Sequence, residues 1–304
     1  MGEDDVTLRV DSISKSFDDF AAVDDLSFNV RAGRIFGFLG PNGAGKTTTI
    51  RMIVGITIPD SGEIELFGKR INGTDQDHIG YLPEERGLYK KTKVIDQLRY
   101  FAALKNIPQS EADRRIDRWL GRMELSEWKN KKTTDLSKGM QQKIQFIATV
   151  LHDPDLLILD EPFSGLDPVN VEFMIDVLSE FRQTNKTVIF STHLMETAER
   201  LCHDILLINK GKKVISGSLR KVKESYGRNR VAVRVDGAND LLNNVSGVES
   251  IAEKADEKIL SMRPDADPQE LLRSLVSSGA KVTKFEYVEP TLNDIFIEQI
   301  GGAK

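Results

Sequence analysis

A glycine-rich turn between two regular segments constrains the fold more than any other feature of the sequence. Residues Gly40–Thr47 read GPNGAGKT and match the pattern G-x-x-x-x-G-K-[ST]. The apolar run Arg34–Leu39 predicts a strand before the turn, and Lys46–Val54 predicts a helix after it. In this setting the backbone curls so that its N–H groups point at phosphate oxygens, and the helix N-terminus adds partial positive charge. The turn therefore predicts a phosphate site on an α/β fold.

Two side chains of this turn have predicted chemical roles. Lys46 is expected to reach the β- and γ-phosphates as a catalytic residue, and the Thr47 hydroxyl is expected to bind Mg²⁺. The residues expected to line the phosphates are Gly40, Pro41, Asn42, Gly43, Ala44, Gly45, Lys46, Thr47 and Thr48.

Two carboxylates follow a second strand-like run. Leu156–Asp160 contains four apolar residues and ends in Asp160, and Glu161 comes next. Ligands bind at the carboxyl ends of strands in open α/β sheets, so both carboxylates belong at the ligand edge. We assign Asp160 to Mg²⁺ through its water shell and Glu161 to the proton of an attacking water. The two motifs together predict binding of a nucleoside triphosphate and Mg²⁺.

The order of predicted elements divides the chain into two domains. Strands alternate with helices through residues 1–227, which is typical of a parallel α/β sheet, and residues 92–151 predict an inserted all-helical lobe. Residues 228–304 predict the order β-α-β-β-α-β and a closing helix, as in a small α+β, ferredoxin-like domain. The first predicted helix of that domain is Asn239–Asn244.

Composition excludes several classes of protein. With 42 basic and 47 acidic residues the formal charge is −5, which argues against nucleic acid as a partner. The single cysteine rules out an intrachain disulfide and favours a reducing compartment. No apolar run approaches the roughly 18 residues of a membrane span, and the N-terminus is acidic rather than signal-like. These features predict a cytoplasmic chain that reaches a membrane only through a partner.

Four further segments resemble the motifs of one family. Leu136–Gln142 (LSKGMQQ) resembles the signature loop of ATP-binding cassette (ABC) ATPases, and Ser164–Asp167 (SGLD) is similar to their D-loop. His193 stands where the family has its switch histidine, and Phe17 is similar to the aromatic residue that stacks on adenine. Together with the two motifs above, the resemblance covers residues 6–220 and implies an ABC ATPase core that binds and hydrolyses ATP.

The resemblance also implies how two chains cooperate. In the family, two cassettes stack head-to-tail, so that Ser137 and Gly139 of one chain bind the γ-phosphate of ATP held by the other. His193 contacts the same phosphate, and Asp167 links the two sites across the interface. A homodimer, or a pair with a related cassette, is therefore expected, and its closure and opening drive motion.

Two places depart from the family pattern. Lys138 and Met140 replace a glycine and a glutamine of the signature, while Gly139 is kept. Glu84 stands at the position of the Q-loop glutamine. A carboxylate there binds Mg²⁺ directly or through water, but it lacks the amide N–H donor. Glu84 is therefore kept as a metal-site candidate.

Two segments resemble one bacterial subgroup of the family. Residues 82–89 (LPEERGLY) and 289–296 (EPTLNDIF) are similar to cassette subunits of exporters such as sodium-extrusion systems. The resemblance implies a separate integral-membrane permease as partner and a peripheral position on the inner face of the cell membrane. A short helix of that partner is expected near Leu88, Tyr89 and Lys90–Lys93, for which a solvated lysine-rich loop is the alternative.

Two other functions stay open at the level of sequence. The first is a soluble ABC ATPase that acts on the ribosome or on DNA, which a single phosphate loop without heptad runs or cysteine clusters disfavours. The second is a membrane-remodelling ABC ATPase without cargo, which no sequence feature excludes. The C-terminal domain has no catalytic cluster, and we expect it to stabilise the dimer or to sense a ligand.

Overall fold

The computed structural model of the chain contains two compact units, Met1–Ser218 and Leu219–Lys304. The residues that the structure describes are 6–71, 75–85, 87–226, 230–236, 247–254, 257–263 and 265–301. The sequence pattern predicted a division after residue 227, whereas the compact units divide after residue 218. The difference arises because helix α7 (Leu219–Ser225) belongs to the second unit.

A six-stranded sheet forms the centre of the first unit. In spatial order its strands are β10 (Lys212–Ser218), β9 (Asp204–Asn209), β3 (Ile35–Leu39), β8 (Thr187–Thr192), β7 (Leu156–Asp160) and β6 (Ile79–Leu82). All neighbouring pairs are parallel except β10 with β9. Every residue of β3 and β7 is buried, as expected for central strands covered on both faces. The predicted parallel α/β sheet is confirmed.

A second, antiparallel sheet in the same unit was not separated from the first by the sequence pattern. Its order is β2 (Phe20–Arg31), β1 (Val6–Phe17), β4 (Ser61–Leu66) and β5 (Lys69–Arg70). The two sheets share one apolar core, in which Leu8 and Leu26 of the antiparallel sheet cluster with Phe38 and Ile208 of the parallel one. This shared core fixes the N-terminal strands against the sheet that carries the glycine turn.

Two groups of helices complete the first unit. Helices α1 (Lys46–Ile53), α5 (Pro168–Gln183) and α6 (Met195–Leu201) contact the parallel sheet. The inserted lobe, confirmed as all-helical, contains α2 (Val94–Leu104), α3 (Gln109–Arg122) and α4 (Lys138–Val150) with 3-10 turns at Ser126–Trp128 and Thr133–Asp135. A further 3-10 turn, Asp75–His78, precedes β6. Among the described residues, none of the helices combines the length and the apolar composition that a membrane span requires.

The second unit has a ferredoxin-like strand order. Its strands are β11 (Arg230–Asp236), β12 (Val248–Lys254), β13 (Glu257–Met262) and β14 (Lys281–Tyr287), and its later helices are α8 (Pro268–Ser277) and α9 (Leu292–Gly301). All neighbours in the order β12-β13-β11-β14 are antiparallel. This is the order of a split βαβ fold, as predicted. The predicted helix Asn239–Asn244 lies outside the described residues.

Candidate functional site

The strand order brings three chain segments to one edge of the parallel sheet. Strand β8 lies between β3, which precedes the glycine turn, and β7, which ends in Asp160. Leu39 is paired with Thr192, and Asp160 is paired with Ser191. Because all three strands point the same way, the segments that follow them meet at their carboxyl ends.

The glycine turn approaches neighbouring backbone too closely for any side chain at two positions. A Cβ at Gly40 would lie 2.4 Å from the carbonyl oxygen of Ile208. At Gly45, where φ is 103°, a Cβ would lie 2.4 Å from the carbonyl oxygen of Ala22. Glycine is required at both positions by the fold itself, and the turn it permits leads directly into the N-terminus of α1.

Lys46 is buried at the start of α1 and is held by three oxygens. Its ammonium donates to the carbonyl oxygens of Gly40 at 2.9 Å and Pro41 at 3.2 Å. It also lies 3.4 Å from Oε1 of Glu161, which follows β7. The lysine and the carboxylate predicted from the sequence are therefore in contact. The positive charge of Lys46 lies between the glycine turn and the edge of the sheet.

Asp160 is fully buried at the end of β7. Its Oδ1 accepts a hydrogen bond of 2.5 Å from the Ser191 hydroxyl, and the Thr47 hydroxyl lies near enough to this carboxylate to oppose a rise in its pKa. Its Oδ2 has no hydrogen-bond partner among the described residues. Burial raises the pKa of Asp160, and the charge of Glu161 raises it further, against the opposing effect of the Ser191 and Thr47 hydroxyls.

Glu161 is the point where the contacts of the site converge. It has a left-handed backbone with φ of 48°, and its N–H donates to the Ser191 hydroxyl at 2.9 Å. Its Oε1 lies 3.0 Å from Nδ1 of His193 and 3.4 Å from the ammonium of Lys46. Glu161 is 6% exposed, whereas the His193 side chain is 50% exposed, so a buried carboxylate is contacted by a histidine that is open to solvent.

Ser191 is a member of this cluster that the sequence reasoning missed. It is fully buried and joins the last residue of β7 to the backbone of the next residue. A signal was present in the sequence, because the hydroxyl residues Ser191 and Thr192 follow the apolar run Val188–Phe190 directly before His193.

Phe17 lies at the hairpin end of the antiparallel sheet. It is paired with Phe20, and its side chain is 50% exposed. The Lys15 ammonium is 5.7 Å from the Phe17 ring centre and is held by an ion pair with Asp60 at 2.6 Å. This lysine lies over one face of the Phe17 ring and leaves the opposite face uncovered by it.

Ser137 and Gly139 lie at the N-terminus of α4. The Ser137 hydroxyl caps the helix by accepting the Met140 N–H at 3.2 Å, and the residue is exposed. A Cβ at Gly139 would meet Leu166 at 3.6 Å, an ordinary contact distance. Packing within this chain therefore does not require glycine at this position.

Asp167 is the N-cap of α5. Its carboxylate accepts the N–H of Asn170 at 2.9 Å and the side-chain amide of Asn170 at 2.6 Å. The backbone N–H of Asn170, followed by its side chain, lowers the pKa of Asp167. Asp167 is therefore ionised and fixed at the start of this helix.

Glu84 follows β6 and is exposed. The segment around it is attached to the lobe by the buried side chain of Gln145, whose amide donates to the carbonyl oxygens of Pro83 and Glu85 at 3.3 Å each. Burial raises the pKa of the neighbouring Tyr81, and the charges of Asp160 and Glu84 add to that rise. Glu84 thus belongs to the same edge of the sheet as Asp160, next to the lobe.

A groove of about 340 Å³ lies between the sheet core and the lobe. Its lining residues are Val54, Ile56, Ile79, Tyr81, Pro83, Gly87, Leu88, Phe101, Leu104, Lys105, Gln145, Ala148, Thr149 and His152. Leu88 is thus part of the groove, and Tyr89 stands beside it, with its ring 5.8 Å from that of Tyr100 and 6.4 Å from that of Phe101. The lysines of Lys90–Lys93 are exposed.

The fold and the site define a phosphate-loop ATPase with an inserted helical lobe. Comparison with known proteins identifies the family. A family model described as ABC transporter matches residues 23–164, and one for the C-terminal domain of DrrA1-3-like ATP-binding proteins matches residues 217–300.

Full-length relatives agree with both matches. The uncharacterized ABC transporter ATP-binding protein YhaQ of Bacillus subtilis (strain 168) is 45% identical over 294 residues, covering 97% of this chain and 98% of YhaQ. Nod factor export ATP-binding protein I of Cupriavidus metallidurans is 31% identical over 298 residues, covering 97% of each. A solved structure of the ATP binding subunit of an ABC transporter, 30% identical, superposes with a TM-score of 0.68 over 72% of this chain and 93% of that one. The chain belongs to the ABC transporter ATP-binding proteins and is an ATP hydrolase of that family with a DrrA-like C-terminal domain.

Proposed function

We propose that this chain is the ATP-hydrolysing subunit of an exporter and works as a head-to-tail pair bound to a separate permease. The observation that carries the proposal is the cluster in which the buried Lys46 and the half-exposed His193 both contact Oε1 of the buried Glu161. A carboxylate held between two cationic or hydrogen-bonding groups, beside a glycine turn, has the arrangement required to activate water next to a terminal phosphate.

The residues at the sheet edge fit Mg²⁺. The buried Oδ2 of Asp160 lacks a partner among the described residues, and the Thr47 hydroxyl lies against the same carboxylate. Carboxylate and hydroxyl oxygens are hard ligands of the kind Mg²⁺ prefers. Asp160 and Thr47 would hold the ion, with the exposed Glu84 as a further candidate, and Mg²⁺ supplies charge neutralisation on the β- and γ-phosphate oxygens.

The remaining roles follow from the chain's own groups. The ring of Phe17 stacks on adenine, and the N–H groups of Gly40–Thr48 surround the phosphates. Lys46 exchanges its two loop carbonyl partners for phosphate oxygens, since a charged acceptor is the stronger one. Glu161 polarises the attacking water, and His193 holds Glu161 in place and stabilises the charge that develops on the γ-phosphate.

A second cassette completes the site. Ser137 is exposed at a helix N-terminus, and Gly139 is a glycine that the packing of its own chain does not require. A close approach from outside the chain accounts for this glycine best, because a residue without a side chain lets a ligand come near the backbone. That approach is the γ-phosphate of ATP bound to the partner, with Asp167 linking the two sites.

The permease is the remaining partner. The apolar groove beside Leu88 and Tyr89 suits a short cytoplasmic helix of a membrane subunit, and the lysines of Lys90–Lys93 lie next to it. The relative from Cupriavidus metallidurans bears the name of an export protein, which supports the outward direction. This chain would therefore lie in the cytoplasm, peripheral to the inner face of the membrane.

One experiment tests this proposal. Tagged Glu161→Gln protein is purified with ATP from detergent-solubilised cells of the source organism, and its partners are identified by mass spectrometry. A polytopic membrane protein in stoichiometric amount is expected. Ribosomal or DNA-associated partners, with nothing from the membrane, would contradict the transport role.

A matched variant tests the groove. Leu88→Asp combined with Tyr89→Asp should remove the membrane protein from the purification while basal ATP hydrolysis stays within about twofold, because these residues lie outside the Lys46–Glu161 cluster. Unchanged recovery of the membrane protein would show that the groove is not its docking site.

A further inference from the structure

Ser191 occupies a position from which it contacts both carboxylate-bearing residues of the site. It is the fifth residue of β8, the strand between the glycine-turn strand β3 and the Asp160 strand β7. It is fully buried, like the Thr192 that follows it. The strand order alone therefore places this hydroxyl between the phosphate turn and the two carboxylates.

The direction of both Ser191 hydrogen bonds is fixed by its partners. The backbone N–H of Glu161 can only donate, so the hydroxyl oxygen accepts it at 2.9 Å. The single hydroxyl hydrogen is then left for Oδ1 of Asp160, at 2.5 Å. The Ser191 hydroxyl thus uses its one donor hydrogen on Asp160 and one of its acceptor sites on Glu161, two consecutive residues of the neighbouring chain segment.

These two bonds constrain the atoms that the chemistry needs. Oδ1 of Asp160 is held by Ser191, which orients the carboxylate and leaves Oδ2 as the oxygen without a partner in the described structure. Glu161 has a φ of 48°, a backbone conformation that costs a non-glycine residue energy and persists only where surrounding contacts hold it. The N–H of that same residue is the one that Ser191 accepts.

We infer that Ser191 is a positioning residue that aims Oδ2 of Asp160 at Mg²⁺ and fixes the backbone that presents the Glu161 carboxylate. The inference rests on the roles proposed above for Asp160 and Glu161. Ser191 acts through these residues and takes no part in proton transfer.

The same strand supplies a matched control. Thr187, at the other end of β8, is also buried, and its hydroxyl accepts the Gly33 N–H at 3.1 Å and lies 3.2 Å from the Thr7 hydroxyl. Thr187→Val therefore removes a buried hydroxyl with one backbone and one side-chain partner, far from the carboxylates. Ser191→Ala removes the equivalent groups at the site.

The test measures metal binding apart from turnover. Full-length wild type, Ser191→Ala, Ser191→Thr and Thr187→Val are titrated with Mn²⁺ in the presence of a non-hydrolysable ATP analogue, and free Mn²⁺ is read by electron paramagnetic resonance. Nucleotide affinity without metal and steady-state kcat and KM are measured in parallel. Glu161→Gln is included as the reference for the proposed base.

Ser191→Ala is expected to weaken Mn²⁺ binding and lower kcat by about tenfold each, because a hydrogen bond to a charged group is lost. Nucleotide affinity without metal and KM for ATP should stay within about twofold, since the phosphate turn is untouched. Ser191→Thr, which restores the hydroxyl, should recover most of both losses, and Thr187→Val should match wild type.

Mn²⁺ affinity and kcat within twofold of wild type in Ser191→Ala would overturn the inference, as would equal losses in Thr187→Val. If Ser191→Ala melts well below Thr187→Val, Ser191→Cys replaces it, because a thiol is a weak donor of similar size; wild-type Mn²⁺ affinity in that variant would also overturn the inference. Retained turnover in Glu161→Gln would instead show that Glu161 is not the base. The Mn²⁺ titration would still decide whether Ser191 positions Asp160.

Discussion

The two units of the molecule bury different kinds of side chain. In the described part of the chain, every buried polar or charged residue lies in Met1–Ser218, including Lys46, Asp160 and Glu161. The core of the second unit is apolar and is built around Val231, Val233 and Leu260. Its charged pairs, such as Lys284 with Glu257, lie at partly exposed positions.

The difference follows from how each sheet is built. Parallel strands end at one edge, so the ends of β3, β7 and β8 and the segments after them place a lysine, two carboxylates and a histidine at that edge, where the lysine and the histidine contact one carboxylate. The antiparallel strands of the second unit alternate in direction and have no such common edge. Burial of charge is costly, and buried ionisable groups cluster at functional sites, so we expect catalysis in the first unit.

The largest expected effect is a loss of ATP hydrolysis in a variant of the first unit. Glu161→Gln should lower the steady-state rate of ATP hydrolysis by about 10²–10⁴-fold, the range lost with a general base, while ATP still binds. Hydrolysis is measured by phosphate release and binding by a fluorescent ATP analogue. The exposed Glu127→Gln serves as control and should hydrolyse ATP at the wild-type rate. Near wild-type hydrolysis in Glu161→Gln would show that this carboxylate is not the general base. It would also weaken the contrast between a catalytic first unit and a non-catalytic second unit.

A smaller effect is expected on nucleotide affinity. Lys46→Ala should weaken ATP binding about 10- to 100-fold, because a charge-assisted contact to phosphate is lost. The affinity is read from the same fluorescent analogue. Lys284→Ala, which removes an ion-paired lysine of the second unit, is the matched control and should bind ATP like wild type. Equal losses in the two variants would mean that the second unit takes part in nucleotide binding.

The sequence alone indicates which segments meet at this edge of the sheet, because the motifs that they carry are local. The turn Gly40–Thr47, the carboxylates after Leu156–Leu159 and the order of strands and helices all appear as short patterns. Ser191 was missed because its role depends on β8 lying between β3 and β7, and strand order is not visible in a local pattern. The antiparallel sheet of β1, β2, β4 and β5 was missed for the same reason, since pairing between distant segments sets it.

Variants of the apolar core of the second unit test the comparison between the two units further. Leu260→Ala removes a fully buried side chain and should destabilise the second unit by about 2–5 kcal/mol, as cavity-forming substitutions do. Hydrogen exchange of β11 and β13 amides measures this loss. ATP hydrolysis should remain within about twofold, whereas Ile158→Ala, an equally buried change beside Asp160, should lower it. A large fall in hydrolysis for Leu260→Ala would contradict the separation of roles.

The smallest expected effect is a difference in response to pH. All four histidines of the chain lie in the first unit: His78, His152, His193 and His203. Burial lowers the pKa of both His152 and His203. The folded state therefore binds fewer protons than the unfolded state, and the first unit should lose stability as the pH falls below about 6.5, the ordinary histidine value.

Tryptophan fluorescence provides the readout for this effect. Both tryptophans, Trp119 and Trp128, belong to the first unit, so urea midpoints at pH 7.5 and 5.8 report on it alone. Combining His152→Gln with His203→Asn keeps an amide in place of each ring and should flatten the pH dependence. An unchanged slope in that variant would assign the effect to other groups.

The central claim, that two chains share each ATP site, is tested most directly by mixing two inactive variants. Lys46→Ala has a defective phosphate turn and an intact Ser137 segment. Gly139→Asp has an intact phosphate turn and a defective Ser137 segment. A mixed pair contains one site built from the intact turn of one chain and the intact α4 N-terminus of the other. Equal mixing is therefore expected to restore ATP hydrolysis to about a quarter of the wild-type rate, because half of the pairs are mixed and each has one working site. A mixture no more active than either variant alone would show that the two chains do not complete each other's sites.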